Sequence, residues 1–313
     1  MLVVSRDKQS FHDDLFRNFN SYVRPADCLV LNNSRVFPAR LHGRRHSSSG
    51  AGLEVFLLRA LNQQETVWSV LVRPGKRVRM GDTIVFDEAL RAEVLSHGDF
   101  GERTLRFFSD RPVPELLESL GTVPLPPYIR RPPIAADRES YQTVFAEKKG
   151  SIAAPTAGLH FTPQMLEACR AAGAEIAYIT LHVGLGTFAR VREKNLENIR
   201  LHEEFLEISA SSAAKLQAAK RLVCVGTTSV RTVETALLTG GFTPLQRETD
   251  LFIYPGFRFQ GTGAMLTNFH LPQSSLLMLV SAFAGPELTL AAYRHAVAER
   301  YRFYSYGDCM LIE

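Results

Sequence analysis

The sequence predicts an α/β protein whose larger part carries a mostly parallel sheet, accompanied by a small antiparallel β-barrel or sandwich. Two textures, and the break between them, predict it. Up to about Phe108, short β-like runs follow one another with turns between and no helical periodicity. Beyond the proline-rich "TVPLPPYIRRPP", strands and helices alternate.

The β-like runs are "CLVLNNSRVF", "LEVFLLRA", "TVWSVLVR", "DTIVF" and "TLRFF". "HSSSGAG", from His46 to Gly52, reads as a hairpin tip or a flexible loop, and Gly81-Asp82 and Gly98-Asp99 mark further turns. "PVPELLESLG" is a short helix closed by Gly121. The prolines that follow each remove a backbone donor and disfavour helix just before them, so this stretch is a boundary. "TPQMLEACRAAG" then offers Thr162 as N-cap, Pro163 at the first helical position and Gly173 as stop. "EIAYITLHVG" is a strand, "SSAAKLQAAKR" a helix, "LVCVG" a buried strand and "TTSVRTVETALLTGG" a helix ending in two glycines. "AMLTNFH" and "SSLLMLVSAFAG" repeat the pair, and "ELTLAAYRHAVAERY" is a helix leading into a last strand, "RFYSYGDCMLI".

Composition limits the function classes. Lysine plus arginine (36) exceed aspartate plus glutamate (32) by four over 313 residues, so a polyanionic partner must be met by local clusters rather than a global field. Cys28, Cys169, Cys224 and Cys309 stand singly, without metal-binding spacing, which argues against a metal site or disulfide framework and for a reducing, cytoplasmic setting. No apolar run approaches a membrane span, and "MLVVSRDK" carries charge too early for a signal-peptide core.

In open α/β sheets ligands sit at the carboxyl ends of the strands, where helix N-termini present free N–H groups. Three junctions of that kind stand out. "VGTTSVR" sets Thr227, Thr228, Ser229 and Arg231 after a strand: an anion receptor, or a simple helix cap needing one hydroxyl. "LTNFHLPQSS" places Asn268 and His270 at a strand end, with Ser274 or Ser275 capping the next helix. "AAPTAGLHFTP" sets the small residues Ala153 to Gly158 before His160, and His182 ends the strand "LHVG". A lone histidine at a strand end is ordinarily a structural hydrogen-bonder; three at one sheet edge point to proton transfer. "GLGTFA", Gly184 to Ala189, fits a loose dinucleotide fingerprint, but the charged "RVREKNLENIRLHEEF" that follows is not its helix, so that reading is rejected. The basic "RLHGRRH" (Arg40, Arg44, Arg45) is a solvated hairpin or an RNA-backbone contact, and "PLPPYIRRP", which holds Arg130 and Arg131, is a ligand for a proline-reading domain or, inside a folded chain, a rigid connector. "RFYSYGD" is a core strand or a base-stacking platform.

The segments "LVLNNSRVFPARLHG", "VPLPPYI", "YQTVFAEKKGSIAAPTAGLHFT", "TLHVGLGTF", "VGTTSVRTVE", "FIYPGF", "TNFHLPQSSLLMLVSAFAG" and "YRFYSYGDCMLI" resemble, in order and over almost the whole chain, the S-adenosylmethionine:tRNA ribosyltransferase-isomerase family of queuosine biosynthesis. The resemblance implies an α/β domain, residues 1–38 and 115–313, with a β-barrel inserted at 39–114. It implies transfer of the ribosyl group of S-adenosylmethionine to 7-aminomethyl-7-deazaguanine at the wobble position of tRNA, isomerisation to epoxyqueuosine, and release of adenine and methionine. S-adenosylmethionine is then a substrate, with no further cofactor and no metal, and a monomer without membrane attachment is expected. The family's further N-terminal segment, before the point matching "LVVSRD", is not in this chain, so the competing reading is an inactive relative that only binds RNA. His160, His182 and His270 are the candidate acids and bases, His160 first because its loop has no side chains to hold a ligand off. Ala154, Pro155, Thr156 and Gly158 would let the nucleoside lie against main chain. Thr227, Thr228, Ser229 and Arg231 would hold the methionine carboxylate or a phosphate. Asn32, Asn33 and Arg35 would take ribose hydroxyls or backbone phosphate, unless the asparagines are turn formers. Asn268 joins the substrate contacts, Arg40, Arg44, Arg45, Arg130 and Arg131 the tRNA contacts, and His202, Glu204 and Asp308 are weaker orienting candidates.

Overall fold

Leu29, Val30 and Leu31, like Val223, Cys224 and Val225, are buried whichever way they point, as strands covered on both faces must be. They belong to a nine-stranded sheet seen in a computed structural model, which describes every residue except 47–51, 99–100, 127, 130, 185–195, 197–198 and 200. The chain divides into two units, one made of Met1–Arg35 with Tyr141–Glu313 and one of Val36–Ser140. The sequence places these limits at 38/39 and 114/115; the second unit instead begins at Val36 and takes in the short helices α1 (Val113–Leu120) and α2 (Asp137–Ser140) and the proline-rich stretch between them.

The first unit begins with β1 (Leu2–Ser5), β2 (Ser10–Asp13) and β3 (Asp27–Asn32), and β4 (Ser34–Val36) lies where the chain leaves it. The second unit holds β5 (Arg40–Arg45), β6 (Gly52–Ala60), β7 (Val67–Arg73), β8 (Thr83–Val85), β9 (Arg91–His97) and β10 (Glu102–Phe108). These six close into an antiparallel barrel of order β10-β7-β6-β5-β8-β9. Leu41, Val55, Leu57, Val70, Ile84 and Leu105 alternate inward and are buried. A side chain at Gly43 would lie 2.9 Å from both Ile84 and Phe86, so only glycine fits there.

The chain re-enters the first unit with β11 (Lys148–Ser151), α3 (Pro163–Ala171), β12 (Glu175–Leu181), β13 (Glu204–Ile208), α4 (Ala210–Ala218), β14 (Arg221–Val225) and α5 (Thr227–Leu238). β15 (Leu245–Thr249), β16 (Thr262–Asn268), α6 (Ser275–Ala284), α7 (Pro286–Ala298) and β17 (Cys309–Ile312) complete it. The sheet order is β15-β13-β12-β3-β14-β16-β17-β1-β2. Its centre, β12, β3, β14 and β16, is parallel. β13 and β15 on one side are antiparallel, as are the β16–β17 and β1–β2 pairs on the other, so the sheet is mixed around a parallel core.

Side chains of successive strand residues take opposite faces. On one face Cys28, Val30, Cys224 and Met265 pack with Val230, Val233, Leu279 and Ala292 from helices α5, α6 and α7. On the other, Leu29, Leu31, Val225 and Leu266 meet Ala157, Phe161, Leu166 and Cys169. Thr162 caps α3 by accepting the Met165 N–H, and Ser274 caps α6 through Leu277. One expected element is different: of "RFYSYGDCMLI" only Cys309–Ile312 is strand. Arg302 to Asp308 is a tight turn, because Asp308 N donates to Arg302 O at 2.7 Å and Asp308 carboxylate accepts from Arg302 N at 2.7 Å. Tyr304 adopts φ 74°, and a side chain at Gly307 would strike the Arg302 carbonyl at 2.4 Å. That geometry rules out both the core strand and a flat base-stacking platform.

Candidate active site

Because β12, β3, β14 and β16 run parallel, their carboxyl ends deliver Leu181-His182, Asn32-Asn33-Ser34, Gly226-Thr227-Thr228 and Asn268-Phe269-His270 to one edge. Three inter-strand spacings separate β12 from β16, about 14 Å. The turn Thr156–His160 packs against the same region, with His160 beside Asn268.

The three histidines are not placed alike. Asn268 Nδ2 donates to the Tyr304 carbonyl at 3.0 Å and lies 3.3 Å from His160 Nε2. A carbonyl can only accept, so Tyr304 fixes which end of the amide is nitrogen, and His160 Nε2 must then hold a lone pair. His160 also packs on Phe16, ring centroids 5.3 Å apart. Burial lowers its pKa to about 4, against an opposing pull from Asp308. His182 packs against Gly150 and Phe205 and bonds Ser34 Oγ through Nδ1 at 2.7 Å; burial lowers it too, to about 4. His270 lies on the other side of β16. Its Nε2 meets Thr267 Oγ1 at 2.7 Å, its backbone N–H donates to Tyr293 Oη at 2.9 Å, and burial again lowers its pKa to about 4. Thr267 and Tyr293 belong to the α7 side, so the expectation of three histidines facing one pocket is corrected: His270 is turned to the opposite face of the sheet from Asn268 and His160.

The small residues before His160 are small for the fold's own reasons. Ala153 packs with Leu181, Val183 and Leu206, and Ala154 and Pro155 are buried. Ala157 is buried in the core, and a side chain at Gly158 would meet Thr143 and Phe145 at 2.8 Å. Only Thr156 of the expected main-chain platform is half-buried rather than buried, so packing within the fold accounts for the small side chains of this loop.

At the α5 N-terminus, Gly226 has φ 90° and no side chain caps the helix. Ser229 Oγ donates back to Val225 O at 2.9 Å, whereas Thr228 Oγ1 is buried without a hydrogen bond. Asn268 Oδ1, on the neighbouring strand, is likewise buried and unpartnered. Thr227 begins the helix, 6% exposed. Arg231 is committed elsewhere: it pairs with buried Glu204 and donates from Nε to Leu251 O at 3.0 Å and from Nη2 to Thr249 O at 3.4 Å. It is a structural cation, not an anion receptor. Glu204, which also accepts the Gly184 N–H at 2.7 Å, is its counter-ion, and His202 lies exposed beside it.

Asn32 and Asn33 are likewise spent on the chain. Asn32 exchanges two bonds with the Leu181 backbone, 2.9 and 3.0 Å, and its Oδ1 also accepts the Ser34 N–H. Asn33 donates to Glu147 at 3.0 Å and accepts from Thr180 Oγ1 at 2.7 Å. These clamps tie β3 to β12 and hold both buried side chains against the protein's own groups. Arg35 is half-buried. Asp308 is held by Arg302 at 3.0 Å.

On the barrel, an open groove of about 790 Å³ is lined by His42, Arg44, His46, Glu54 and Phe86. Arg44 is exposed there. Arg40 and Arg45 face Glu54 and Asp82 respectively, each at 3.6 Å. Arg131 grips buried Asp137 with both nitrogens, at 2.6 and 2.7 Å, and is thereby removed from the tRNA contacts; Arg130 lies outside the described residues. Among the described residues no group of three His, Cys, Asp or Glu side chains is placed to hold a metal ion, and no single helix is long and apolar enough to cross a membrane. Ser34 and Gly150, which hold His182, were missed from sequence because a serine and a glycine in loops carry no signal of their partner.

Residues 1–312 match the family described as queuosine biosynthesis protein. The chain is 56% identical over 327 residues to the S-adenosylmethionine:tRNA ribosyltransferase-isomerase of Solibacter usitatus, covering 100% of this chain and 92% of that protein. It is 45% identical over 318 residues to the enzyme of the same name from Thermoanaerobacter sp., with the same coverage. The crystal structure of the S-adenosylmethionine tRNA ribosyltransferase from Thermotoga maritima is similar with TM-score 0.55 at 37% identity, covering 100% of this chain and 91% of that one.

Proposed function

The chain belongs to the queuosine biosynthesis protein family, and from that premise we propose that it transfers the ribosyl group of S-adenosylmethionine to tRNA and isomerises it. The observation that carries the reading is the match over the full chain to enzymes of that name, with no half of the chain left unmatched. The acceptor in this proposal is 7-aminomethyl-7-deazaguanine at the wobble position, and the products are epoxyqueuosine-tRNA, adenine and methionine.

The chemistry asks little beyond placement and proton transfer. The substrate's own sulfonium acidifies the C5′ protons beside it and makes methionine a leaving group, so no second cofactor is invoked. The protein has to bind the nucleoside, remove a C5′ proton and stabilise departing adenine. The carboxyl edge of the four parallel strands supports that assignment. Thr227, Thr228 and Asn268 offer uncapped helix N–H groups and unsatisfied oxygens for the nucleoside. His160 and His182 flank the same edge. Exposed Arg44 and the barrel groove supply a basic surface for the tRNA backbone.

The test is incubation of the protein with S-adenosylmethionine and tRNA carrying the deazaguanine. Free adenine and methionine are expected. S-adenosylhomocysteine in their place would make the protein a methyltransferase, and neither product would leave only RNA binding.

A further inference from the structure

His160 and His182 differ in the partner that holds each ring, and the difference bears on which of them can carry a proton. The partner of His160 Nε2 is an amide nitrogen, fixed in orientation by the Tyr304 carbonyl. An amide N–H can only donate. If His160 took a proton at Nε2, two N–H groups would face each other at 3.3 Å. Neutral His160 therefore keeps its hydrogen on Nδ1, where it is a donor and not a base.

The partner of His182 Nδ1 is a hydroxyl, which donates or accepts as needed. Ser34 Oγ can give its hydrogen to an unprotonated Nδ1, and by turning its rotor can accept from Nδ1–H when the ring is the other tautomer or an imidazolium. One partner at 2.7 Å thus serves all three states. Ser34 is itself held in place: it is fully buried, and its backbone N–H donates to Asn32 Oδ1 at 3.0 Å. The ring is fixed in plane as well. Gly150 has φ 147°, and a side chain there would fall 2.5 to 2.7 Å from Nε2, Cδ2 and Cε1 of His182. Phe205 stacks on the ring with centroids 5.5 Å apart and planes 22° from parallel. Nε2 has no hydrogen-bond partner among the described residues and is not sealed from solvent. Lys148 and Glu207, the charged groups that face the ring from β11 and β13, are paired with each other.

We infer that His182 is the proton-accepting base of the site, that Ser34 is its positioning residue, and that His160 is a fixed neutral hydrogen-bond donor. This rests on the ribosyl-transfer reading above. In the step assigned to it, the C5′–H bond breaks, the electron pair stays on C5′ beside the sulfonium, and the proton forms a new bond to His182 Nε2. Nδ1–H then points at Ser34 Oγ. His160 Nδ1–H is left to stabilise the nitrogen from which the sugar departs.

Two measurements on the full chain test it. In the first, ¹⁵N spectra of the imidazoles are followed with pH in the protein without substrate. His160 is expected to keep an unprotonated Nε2 and to protonate only below His182. A protonated His160 Nε2 at neutral pH, or His160 charging before His182, would overturn the assignment whether or not the protein has the proposed activity. In the second, exchange of the C5′ protons of S-adenosylmethionine with solvent deuterium and adenine release are measured in wild type and in Ser34→Ala. The serine variant is expected to lose about 10- to 100-fold in kcat with KM little changed, and to shift the acidic limb of its pH–rate profile. Wild-type turnover with a Ser34→Ala profile and kcat equal to it would refute the role of Ser34. Absence of adenine release in the wild type would instead sink the functional reading, and the catalytic step with it.

Discussion

Arg231 illustrates how the structure overrules a motif, and replacing it by methionine tests that directly. In "VGTTSVR" the arginine looks like a receptor for a carboxylate or phosphate. In the fold its guanidinium is 7% exposed and pairs with Glu204, 4% exposed, with two main-chain carbonyls taking further N–H groups. Breaking a buried pair by removing one partner costs about 3 to 5 kcal/mol, because the charge left behind has lost its counter-ion inside the protein. At about 2 to 4 °C per kcal/mol for a unit of this size, Arg231→Met should lower the melting temperature by roughly 6 to 20 °C. Adding Glu204→Leu should recover part of that loss, since the ion pair exchanged for apolar groups is near neutral but the Gly184 N–H and the Leu251 and Thr249 carbonyls lose their side-chain partners. Scanning calorimetry of the single and double variants is the assay. A melting temperature within about 2 °C of wild type in Arg231→Met, together with a large rise in KM for S-adenosylmethionine, would show that the side chain serves the ligand and refute the reasoning.

Further predictions concern other buried polar groups. Glu234 is fully buried and accepts from Gln260, Gly261 and Thr262 N–H groups and from Thr262 Oγ1; Glu234→Gln should destabilise by about 2 to 3 kcal/mol in urea unfolding, since its amide nitrogen must face one of those donors. Thr228→Val removes a hydroxyl with no partner, so the free protein should melt no lower than wild type while S-adenosylmethionine binds several-fold more weakly; an unchanged dissociation constant would exclude Thr228 from the site. His160, His182 and His270 all have folded pKa values near 4, below the usual value of 6.5. The unfolded chain therefore takes up protons first as pH falls, and stability that is full above about 6.5 should drop between there and about 4. A melting temperature flat across that window would contradict their burial as neutral groups.

Much of this was legible in the sequence, and the reasons are local. The α3 and α6 caps, Thr162 and Ser274, act through bonds to residues three positions on, so the chain announces them. The alternation of strand and helix after residue 150 likewise follows from periodicity. β13 and β15 were not foreseen: "LQRET" is a polar edge strand whose exposed residues alternate too weakly for a pattern, and "EFLEI" lies next to a charged stretch. The strand expected over "RFYSYGD" failed because a backbone turn closed by Asp308 outweighs aromatic alternation. At the site, the strand-end histidines were visible, but their relative standing was not. It depends on Ser34 meeting His182 across 148 positions and Asn268 meeting His160 across 108, contacts that no local pattern encodes. Asn32 and Asn33 fail in the same way, since each is answered by a partner that only the fold supplies, whereas Arg131 is taken by Asp137 six positions on, a short-range pair that the proline-rich stretch conceals.

The most direct measurement is hydrogen–deuterium exchange of the full chain with and without S-adenosylmethionine. Binding at the carboxyl edge of β12, β3, β14 and β16 predicts slowed exchange at Thr227-Thr228, Asn268 and His182, with the barrel unchanged until tRNA is added. Protection confined to the barrel, or spread evenly with those strand ends unaffected, would contradict the placement of the site.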